Sequence, residues 1–320
     1  MKLRALTMVA VSLLSAMLLS SCRHKDLYME EAVTSQLYVK FDWSQAPDAN
    51  PSSMALYMYE NDGTNPMRFI FSNRDGGYIK VPFGTRHAIC MNGDNTDWAH
   101  LRGKETIENM ELYTSDAEML ESQKLSTSAL PRSRESESER MAKTPGMLWA
   151  QRTNEIRIVP HEGTDTITLY PHEAVCHYIV DIYDVDNLEG VSSASIDAVI
   201  SGMAEGYSLG QQTSTDAPVT MPFTLKTNVA GKSLHSEFLT FGECSNTSHP
   251  HHLTVYMILK DGSKWFHTFD VTQQVTQAPD PTHVHIIIKG LPLPEPPAEG
   301  GTQLSADVNE WQPVYIDMKM

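Results

Sequence analysis

Short runs of alternating apolar and polar residues recur along most of the chain, and they constrain the fold more than any other feature. Within residues 37–43 every second side chain is apolar, which is typical of a half-buried β-strand. Similar runs follow at intervals of about 8 to 14 residues, separated by turn signals such as Asn61-Asp62-Gly63. No window shows a long helical period of about 3.6 residues. The pattern therefore predicts an all-β protein made of β-sandwiches.

The clearest hairpin lies in the C-terminal half of the chain. Two β-rich runs, residues 253–259 and 264–271, are joined by Lys260-Asp261-Gly262-Ser263. Asp-Gly between such runs favours a tight hairpin turn, because Gly accepts a positive φ without a steric penalty. A last strand is predicted over residues 311–318, after a Pro-rich spacer that is expected to be extended.

The length of 320 residues is enough for two tandem domains. We predict an N-terminal β-sandwich over residues 35–160 and a C-terminal β-sandwich over residues 161–320. Residues 115–146 interrupt the first sandwich with a Ser-rich stretch of mixed charge that has few apolar side chains to bury. That composition predicts a mobile insertion, and the arginines of residues 132–140 make it an accessible target for Arg-specific proteases.

The N-terminus has the three zones of a secretion signal. A short basic start precedes an apolar run over residues 5–19, and Leu19-Ser20-Ser21-Cys22 follows. A basic start, an apolar core and a small-residue cleavage site are typical of a signal peptide. The run is shorter than the ~20 apolar residues that span a bilayer. We therefore predict a signal peptide over residues 1–21, cleaved between Ser21 and Cys22.

Cys22 changes the prediction from a secreted to an anchored protein. An aliphatic residue, two small residues and a Cys look like a lipobox, whose thiol accepts a diacylglycerol group. Cys22 is then an N-palmitoyl and S-diacylglycerol cysteine, and several acyl chains give stable membrane anchoring. A polar tether over residues 22–34 follows. The alternative is an ordinary signal peptide that happens to precede a Cys.

Composition limits the partners and the redox chemistry. The chain has 24 Lys and Arg against 40 Asp and Glu, a net charge of −16, which argues against binding to nucleic acid. Besides Cys22 only Cys90, Cys176 and Cys244 remain, so at most one disulfide can form. Cys90 and Cys176 lie in apolar runs, and we interpret both as buried, unreactive thiols.

Six of the 13 histidines lie close together between residues 249 and 285: His249, His251, His252, His267, His283 and His285. A metal site needs three or four convergent ligands. His283 and His285 share one face of a predicted strand, and His267 could lie opposite them. Pro250 places the first group in a turn, however, and nothing in the sequence makes these side chains converge. We therefore predict no metal and no other cofactor.

No catalytic motif is present: the chain has no GxSxG, HExxH, P-loop or GxGxxG pattern. Its acidic residues are scattered over predicted loops, so a hydrolase is the least favoured hypothesis, and we predict no catalytic residue and no enzyme activity. Tyr57 and Tyr59 would contact sugars if they were exposed, although packing in a core explains them equally well. Asp165-Thr166-Ile167 resembles a short O-glycosylation site of exported bacterial proteins.

Several features together resemble the fimbrillin-type lipoproteins of gram-negative gut and oral anaerobes, which build type V pili. They are the lipobox, the two successive all-β halves, the segment from Ile200 to Tyr207 between strands of the second half, and the closing residues 309–316. The resemblance is strongest to the FimB-like branch of pilus anchors and minor subunits, and it covers nearly the whole chain.

The resemblance implies two transthyretin-like β-sandwiches and a place on the outer membrane. Polymerising subunits of this kind lose their lipidated first strand to an Arg- or Lys-specific protease, and a neighbour's strand fills the groove. Anchor subunits keep the lipid and hold the base of the fibre. The interaction is strand addition, in which a sheet edge supplies backbone hydrogen bonds and pockets receive alternate side chains.

One departure from the pattern of polymerising subunits bears on the role of this chain. Its obvious basic cluster, residues 132–140, lies late in the first sandwich, and a cut there would remove most of that domain. This favours an uncleaved fimbrial anchor or accessory subunit, bound to other fimbrial subunits and to the outer membrane through its lipid. The alternative hypothesis is a surface lipoprotein that binds glycans through aromatic side chains.

Overall fold

The computed structural model describes residues 34–94, 97–160, 163–193, 195–245, 249–294 and 310–314. The predicted signal peptide, Cys22 and nearly all of the tether lie outside the described residues, as do residues 315–318 of the predicted last strand. Over the described residues the chain consists mainly of β-strands, which confirms the predicted all-β fold. No helix in this part of the chain is both long enough and apolar enough to cross a bilayer.

The N-terminal half contributes eleven strands. They are β1 (Thr34–Phe41), β2 (Met54–Glu60), β3 (Met67–Phe71), β4 (Gly76–Pro82), β5 (Gly84–Asn92), β6 (Ala99–Arg102), β7 (Glu111–Thr114), β8 (Arg140–Met141), β9 (Trp149–Ile158), β10 (Asp165–Leu169) and β11 (His172–Glu173). Three short 3-10 turns lie between them: Ile107–Asn109, Thr127–Ala129 and Arg134–Ser136.

The C-terminal half contributes ten strands and one short helix, α1. They are β12 (Cys176–Asp186), β13 (Ser195–Ala204), β14 (Gly206–Ser208), β15 (Thr213–Ser214), β16 (Pro218–Asn228), β17 (Ser233–Thr240), β18 (His252–Ile258), β19 (Lys264–Asp270), α1 (Thr272–Thr276), β20 (His283–Pro292) and β21 (Trp311–Pro313). A 3-10 turn, Leu188–Gly190, follows β12.

Two sheets enclose the N-terminal core. The first sheet has the order β10-β1-β4, and the second has the order β11-β9-β5-β2-β3. Leu37, Val39 and Phe41 of β1 meet Leu56 of β2 and Cys90 of β5 in one cluster of buried side chains. The alternation along β1 therefore places its apolar face between the sheets, as the sequence predicts.

The first sandwich extends beyond the predicted boundary at residue 160. The sequence predicts that β10 belongs to the second sandwich, but it pairs in parallel with β1, from Leu37 opposite Asp165 to Phe41 opposite Leu169. Leu169 is buried in the N-terminal core. The chain thus returns to its first strand before it enters the second half, and alternation within β10 gives no information about which strand it pairs with.

The third sheet forms the C-terminal sandwich by folding over its own core. Its order is β20-β12-β17-β16-β13-β18-β19-β21, and β8 pairs with β16 beside this path. Val180 of β12 and Ile286 of β20, near one end of this order, share a core with Ile200 of β13 and Val255 of β18, near the other. The predicted hairpin is confirmed as β18 and β19, with Ile258 opposite Lys264.

A fourth sheet, β15-β14-β7-β6, joins the two halves, because β7 of the first half pairs with β14 of the second. Behind it lies a shared core that includes Tyr57 and Ile89 from the second sheet and Leu209 and Phe241 from the C-terminal half. Tyr57 is 4% exposed and Tyr59 is fully buried, so the suggestion that these tyrosines contact sugars is wrong. β2 is apolar on both faces because each face is covered.

Residues 115–146, here called the strap, pack against the outer face of the C-terminal sandwich rather than forming a loose loop. Leu120 and Leu130 are buried there against Val199 and Tyr256. The Tyr256 hydroxyl donates a 2.6 Å hydrogen bond to the Pro131 carbonyl. The prediction of a mobile insertion is corrected here, because a few apolar side chains spaced along a polar segment are enough when a complementary apolar surface faces them.

Polar contacts hold the strap at both ends of this surface. The buried Asp197 carboxylate accepts backbone hydrogen bonds from Ser122 and Gln123, at 3.1 and 2.8 Å. At the other end, Glu139 accepts the Gly202 N–H at 3.1 Å, where β13 has a bulge and Gly202 has a φ of 76°. The segment from Ile200 to Tyr207, which carries part of the predicted resemblance, therefore holds one end of the strap.

A buried carboxylate links the two halves of the molecule. Glu205 follows β13 and is 8% exposed. It accepts hydrogen bonds from Arg102 on β6 at 2.5 Å and from Arg140 on β8 at 3.3 Å. Each arginine also pairs with a more exposed acid, Glu111 or Asp116.

We expect Glu205→Ala to lower the free energy of unfolding by about 2 kcal/mol, because Glu205 is buried and its loss leaves the exposed Arg102 and the half-buried Arg140 without their shared acceptor. Glu111→Ala is the matched control and should cost less than about 1 kcal/mol, since Glu111 pairs with Arg102 alone at a more open position. Urea denaturation of both variants measures the difference. Equal losses in the two variants would show that Glu205 is not the link between the halves.

Candidate functional site

The first strand occupies the centre of the first sheet. β1 pairs antiparallel with β4, from Thr34 opposite Pro82 to Lys40 opposite Gly76, and parallel with β10 on its other side. Leu37 and Val39 are 1% and 0% exposed. β1 therefore fills the position between β4 and β10 that a strand from another molecule would need, and it supplies that position's apolar side chains.

The connection from β1 to β2 offers no basic residue. Residues 42–53 contain neither Lys nor Arg. Lys40, the last basic residue before this connection, lies within β1 and pairs with Asp42 at 3.2 Å. An Arg- or Lys-specific protease that acts in this connection therefore has no site at which to separate β1 from the rest of the sandwich.

β20 is the longest strand at the end of a sheet in the part of the chain that the structure describes. It pairs with β12 along one side, and its burial alternates, with Val284, Ile286 and Ile288 turned toward the core. On the other side the Gln274 amide of α1 accepts from Ile287 N–H at 2.8 Å and donates to Ile287 C=O at 3.1 Å. The Gln274 amide thus makes the two hydrogen bonds that one residue of a neighbouring strand would make, and it protects the sheet edge at Ile287 from pairing.

The histidines that the sequence singles out lie in separate places. His283 and His285 are on the exposed face of β20, as predicted. His267 of β19 hydrogen-bonds the Val314 carbonyl instead of facing them. His251 is fully buried, and burial lowers its pKa although its ring bonds the Ser201 carbonyl at 3.1 Å. Among the described residues, no group of three or more His, Cys, Asp or Glu is arranged to hold a metal ion.

Asp181 links two histidines on the outer face of the C-terminal sandwich. Its carboxylate hydrogen-bonds His235 at 2.8 Å and His285 at 2.7 Å. Partial burial works to raise the pKa of Asp181, but these two bonds hold it below the usual range. The hydrogen bond to Asp181 raises the pKa of His235, with Glu237 contributing and desolvation opposing.

These shifts predict a stability maximum in mildly acidic solution. The contribution of Asp181 is present above the ordinary Asp pKa, and that of His235 is present below the ordinary His pKa, so the pair stabilises most between about pH 4 and 6.5. Raising the pH through the His235 titration should cost well under about 1 kcal/mol, because His235 is half exposed. Melting temperatures of the wild type and Asp181→Asn from pH 5.5 to 8.5 measure this. An unchanged pH dependence in the variant would contradict the assignment.

The three described cysteines are free thiols. Burial raises the pKa of Cys90 to about 12, and burial with nearby acidic groups raises that of Cys244 to about 12. Cys176 is partly buried, and desolvation followed by the charge of Asp280 raises its pKa to about 11. Cys90 is buried as predicted, whereas Cys176 is half-buried. The low reactivity of both thiols stays a prediction that their raised pKa values support.

Two further sequence predictions fall on exposed positions. Within the strap, Arg134 is exposed, whereas Arg132 donates to the carbonyls of Glu137 and Glu139 and Arg140 is tied to Glu205. Only one of these three arginines thus stays open to a protease. Thr166, in the predicted O-glycosylation site, is exposed on β10, and its modification stays a prediction.

Comparison with known proteins finds similar proteins that are described as fimbrial subunits or adhesins. A Bacteroides ovatus protein described as "Putative fimbrium anchoring subunit Fim4B" is 24% identical over 201 residues. The match covers 63% of this chain and 55% of that protein, so the chain spans about half of its relative's length.

Comparison with solved structures gives alignments that cover most of this chain. The crystal structure of a "putative adhesin" from Bacteroides ovatus aligns with a TM-score of 0.60 and 19% identity, over 82% of this chain and 94% of that one. The fimbrial anchor protein Mfa2 from Porphyromonas gingivalis aligns with a TM-score of 0.49 and 13% identity, over 80% of this chain and 90% of Mfa2.

The shared fold and the sheet order define a multi-sheet, all-β protein. The chain belongs to the family described as "Domain of unknown function (DUF5119)", whose profile matches residues 21–224 and so more than half of it. The predicted resemblance to fimbrial anchor subunits is confirmed, since the Bacteroides ovatus relative has that description.

Proposed function

We propose that this protein is an outer-membrane lipoprotein that serves as a fimbrial anchor or accessory (minor) subunit. Acyl chains on Cys22 hold it on the membrane, and other fimbrial subunits bind it by β-strand addition. It acts through its surface and catalyses no reaction. The similarity to a protein described as a fimbrium anchoring subunit supports a fimbrial role.

The position of β1 is the observation that favours an anchor over a polymerising subunit. Polymerising subunits of the family that this chain resembles lose their first strand to an Arg- or Lys-specific protease. Here β1 lies between β4 and β10 with Leu37 and Val39 buried, and residues 42–53 contain no basic residue. A chain that keeps β1 keeps the lipid upstream of it, which is what an anchor at the base of a fibre requires.

β20 is the edge that we assign to strand addition. It is ten residues long, and one residue on its outer side, Ile287, is bonded to the Gln274 side chain. A partner strand gains a ladder of backbone hydrogen bonds along β20 in exchange for these two bonds. The alternation of the exposed His283 and His285 with buried residues defines which side chains the partner would meet.

Two variants with opposite expected results test this proposal. Ile287→Pro removes an N–H that points away from β12, so it should leave the sheet intact but reduce capture of fimbrial fibres at least tenfold. Gln274→Ala removes the side-chain cap and should retain or increase capture. The measurement is the amount of fibre that co-purifies with the lipidated protein from outer membranes, with circular dichroism melts to check folding.

The proposal would be contradicted if folded Ile287→Pro captured as much fibre as the wild type, or if no fimbrial subunit co-purified with the wild type. The rival hypothesis of glycan binding through Tyr57 and Tyr59 loses its basis, because both side chains are buried in the shared core.

A further inference from the structure

A cleft of about 720 Å³ opens where two strands of the third sheet separate. β16 and β17 pair only from Lys226 opposite His235 to Asn228 opposite Ser233, although β17 stays paired with β12 as far as Thr240. Residues 116–119, 121 and 143–144 of the strap line the other side of the opening. The cleft is therefore a gap between β16 and β17 within one sheet. The two strands stay apart because β17 is paired with β12 and β16 is paired with β13.

The inner wall of the cleft is aromatic. The rings of Phe223 and Phe238 stack across the gap with centroids 4.2 Å apart and an interplanar angle of 16°. Other apolar residues also line the cleft: Pro222, the half-buried Trp98, Ala117 and the exposed Met119. Gly146 permits the position of Trp98, because a Cβ at residue 146 would clash with the indole ring. Such a wall suits a flat or methylene-rich group more than a strongly hydrated one.

The rim of the cleft is acidic. Five acidic residues and one basic residue line it: Asp116, Glu118, Glu121, Asp197, Glu237 and Lys143. Arg140 pairs with Asp116 at 2.7 Å, and Asp197 is bonded to the strap amides and to the Thr224 hydroxyl. Glu118, Glu121 and Glu237 are exposed, and Glu237 also lies 3.4 Å from the His235 ring. Lys143 is the one Lys or Arg among the residues that line the cleft, so its rim carries an excess of negative charge.

We propose that this cleft binds an extended segment of a partner protein that bears lysine or arginine side chains. The methylene stem of the side chain lies on Phe223 and Phe238, and its cationic head meets Glu118, Glu121 and Glu237. Alternate residues of an extended segment face one side, so two basic residues spaced by one other residue reach the rim together. The site is separate from β20 and does not depend on the proposed fimbrial role.

Titration calorimetry with a defined probe tests the proposal on the full-length protein in detergent. The probe is an acetylated eight-residue peptide of alternating lysine and threonine, and the same peptide with glutamate for lysine is its control. The lysine peptide should bind with a dissociation constant on the order of 100 μM or tighter in 50 mM salt. Binding should weaken several-fold at 500 mM salt, because rim charges on the surface are screened.

Matched triple variants assign the binding to the cleft. The first triple variant combines Glu118→Gln, Glu121→Gln and Glu237→Gln. Its affinity for the lysine peptide should be at least tenfold weaker than that of the wild type. The control triple variant combines Glu135→Gln, Glu137→Gln and Glu189→Gln, which change the net charge equally at exposed sites outside the cleft. Its affinity for the lysine peptide should stay within twofold of the wild-type affinity. Thermal melts verify that both triple variants are folded.

The inference is overturned by any of three results. They are no heat with the lysine peptide at millimolar concentration, equal loss of binding in the two triple variants, and equal affinity for the glutamate peptide. Binding of maltohexaose in place of the lysine peptide, lost in the first triple variant, would assign the cleft to neutral carbohydrate and equally reject a basic segment.

Discussion

Cys22→Ala is expected to leave an unlipidated, unprocessed precursor and to remove the protein from the outer-membrane fraction. The thiol is the nucleophile that receives the diacylglycerol group, and alanine has no atom that can replace it. Several acyl chains give effectively stable anchoring, so their loss should change the share of the protein found in the outer membrane from nearly complete to minor. Fractionation of cells, with mass spectrometry of the N-terminus, measures both effects.

Cys176→Ala is the control for this prediction, because it removes a thiol from the folded part of the chain, where Cys176 is half-buried. It should leave membrane fractionation and N-terminal processing unchanged. A Cys22→Ala protein that is processed and recovered in the outer membrane as the wild type is would contradict the lipobox assignment. That result would also remove the anchor from the proposed function while leaving the fold unaffected.

Val39→Asp is expected to unfold the N-terminal sandwich. Val39 is fully buried at the middle of β1, between Gly77 of β4 and Ile167 of β10. A carboxylate there loses its hydration among apolar side chains, which costs about 4 kcal/mol or more and is comparable to the whole stability of a typical domain. Near-ultraviolet circular dichroism and limited proteolysis of the purified protein measure the loss.

Gln36→Asp introduces the same residue on the exposed face of the same strand, opposite Lys80 of β4. It should change the free energy of unfolding by less than about 1 kcal/mol. If Val39→Asp were as stable as Gln36→Asp, β1 would not be an integral strand of the first sheet. The argument that this chain retains its first strand would then fail as well.

The strap shows what the composition of a segment can predict about its structure and what it cannot. Ser-rich, charged composition correctly indicates that residues 115–146 form little regular structure, since β8 is their one named strand among the described residues. It does not show that Leu120 and Leu130 face Val199 and Tyr256 on a distant part of the chain. Nor does it show that the buried Asp197 accepts two strap amides, because all these contacts join residues far apart in sequence.

The strand partners show the same limit. Alternation identifies β1, β10 and the β18–β19 hairpin, and the hairpin partner follows from the Asp-Gly turn between its strands. The parallel pairing of β10 with β1 has no local signal, since more than a hundred residues separate the two strands. The Gln274 cap on Ile287 and the cleft between β16 and β17 likewise exist only once distant segments meet.

The sequence by itself determined the all-β class, the main hairpin, the absence of catalytic motifs and the resemblance to fimbrial anchor subunits, because these depend on local periodicity, turn chemistry and short motifs. Only the tertiary structure decided that Tyr57 and Tyr59 are buried, that the strap is packed, and that carboxylates gather beside an aromatic wall. Burial and proximity depend on which surfaces meet across the sheets, and local alternation specifies a face without specifying what covers it.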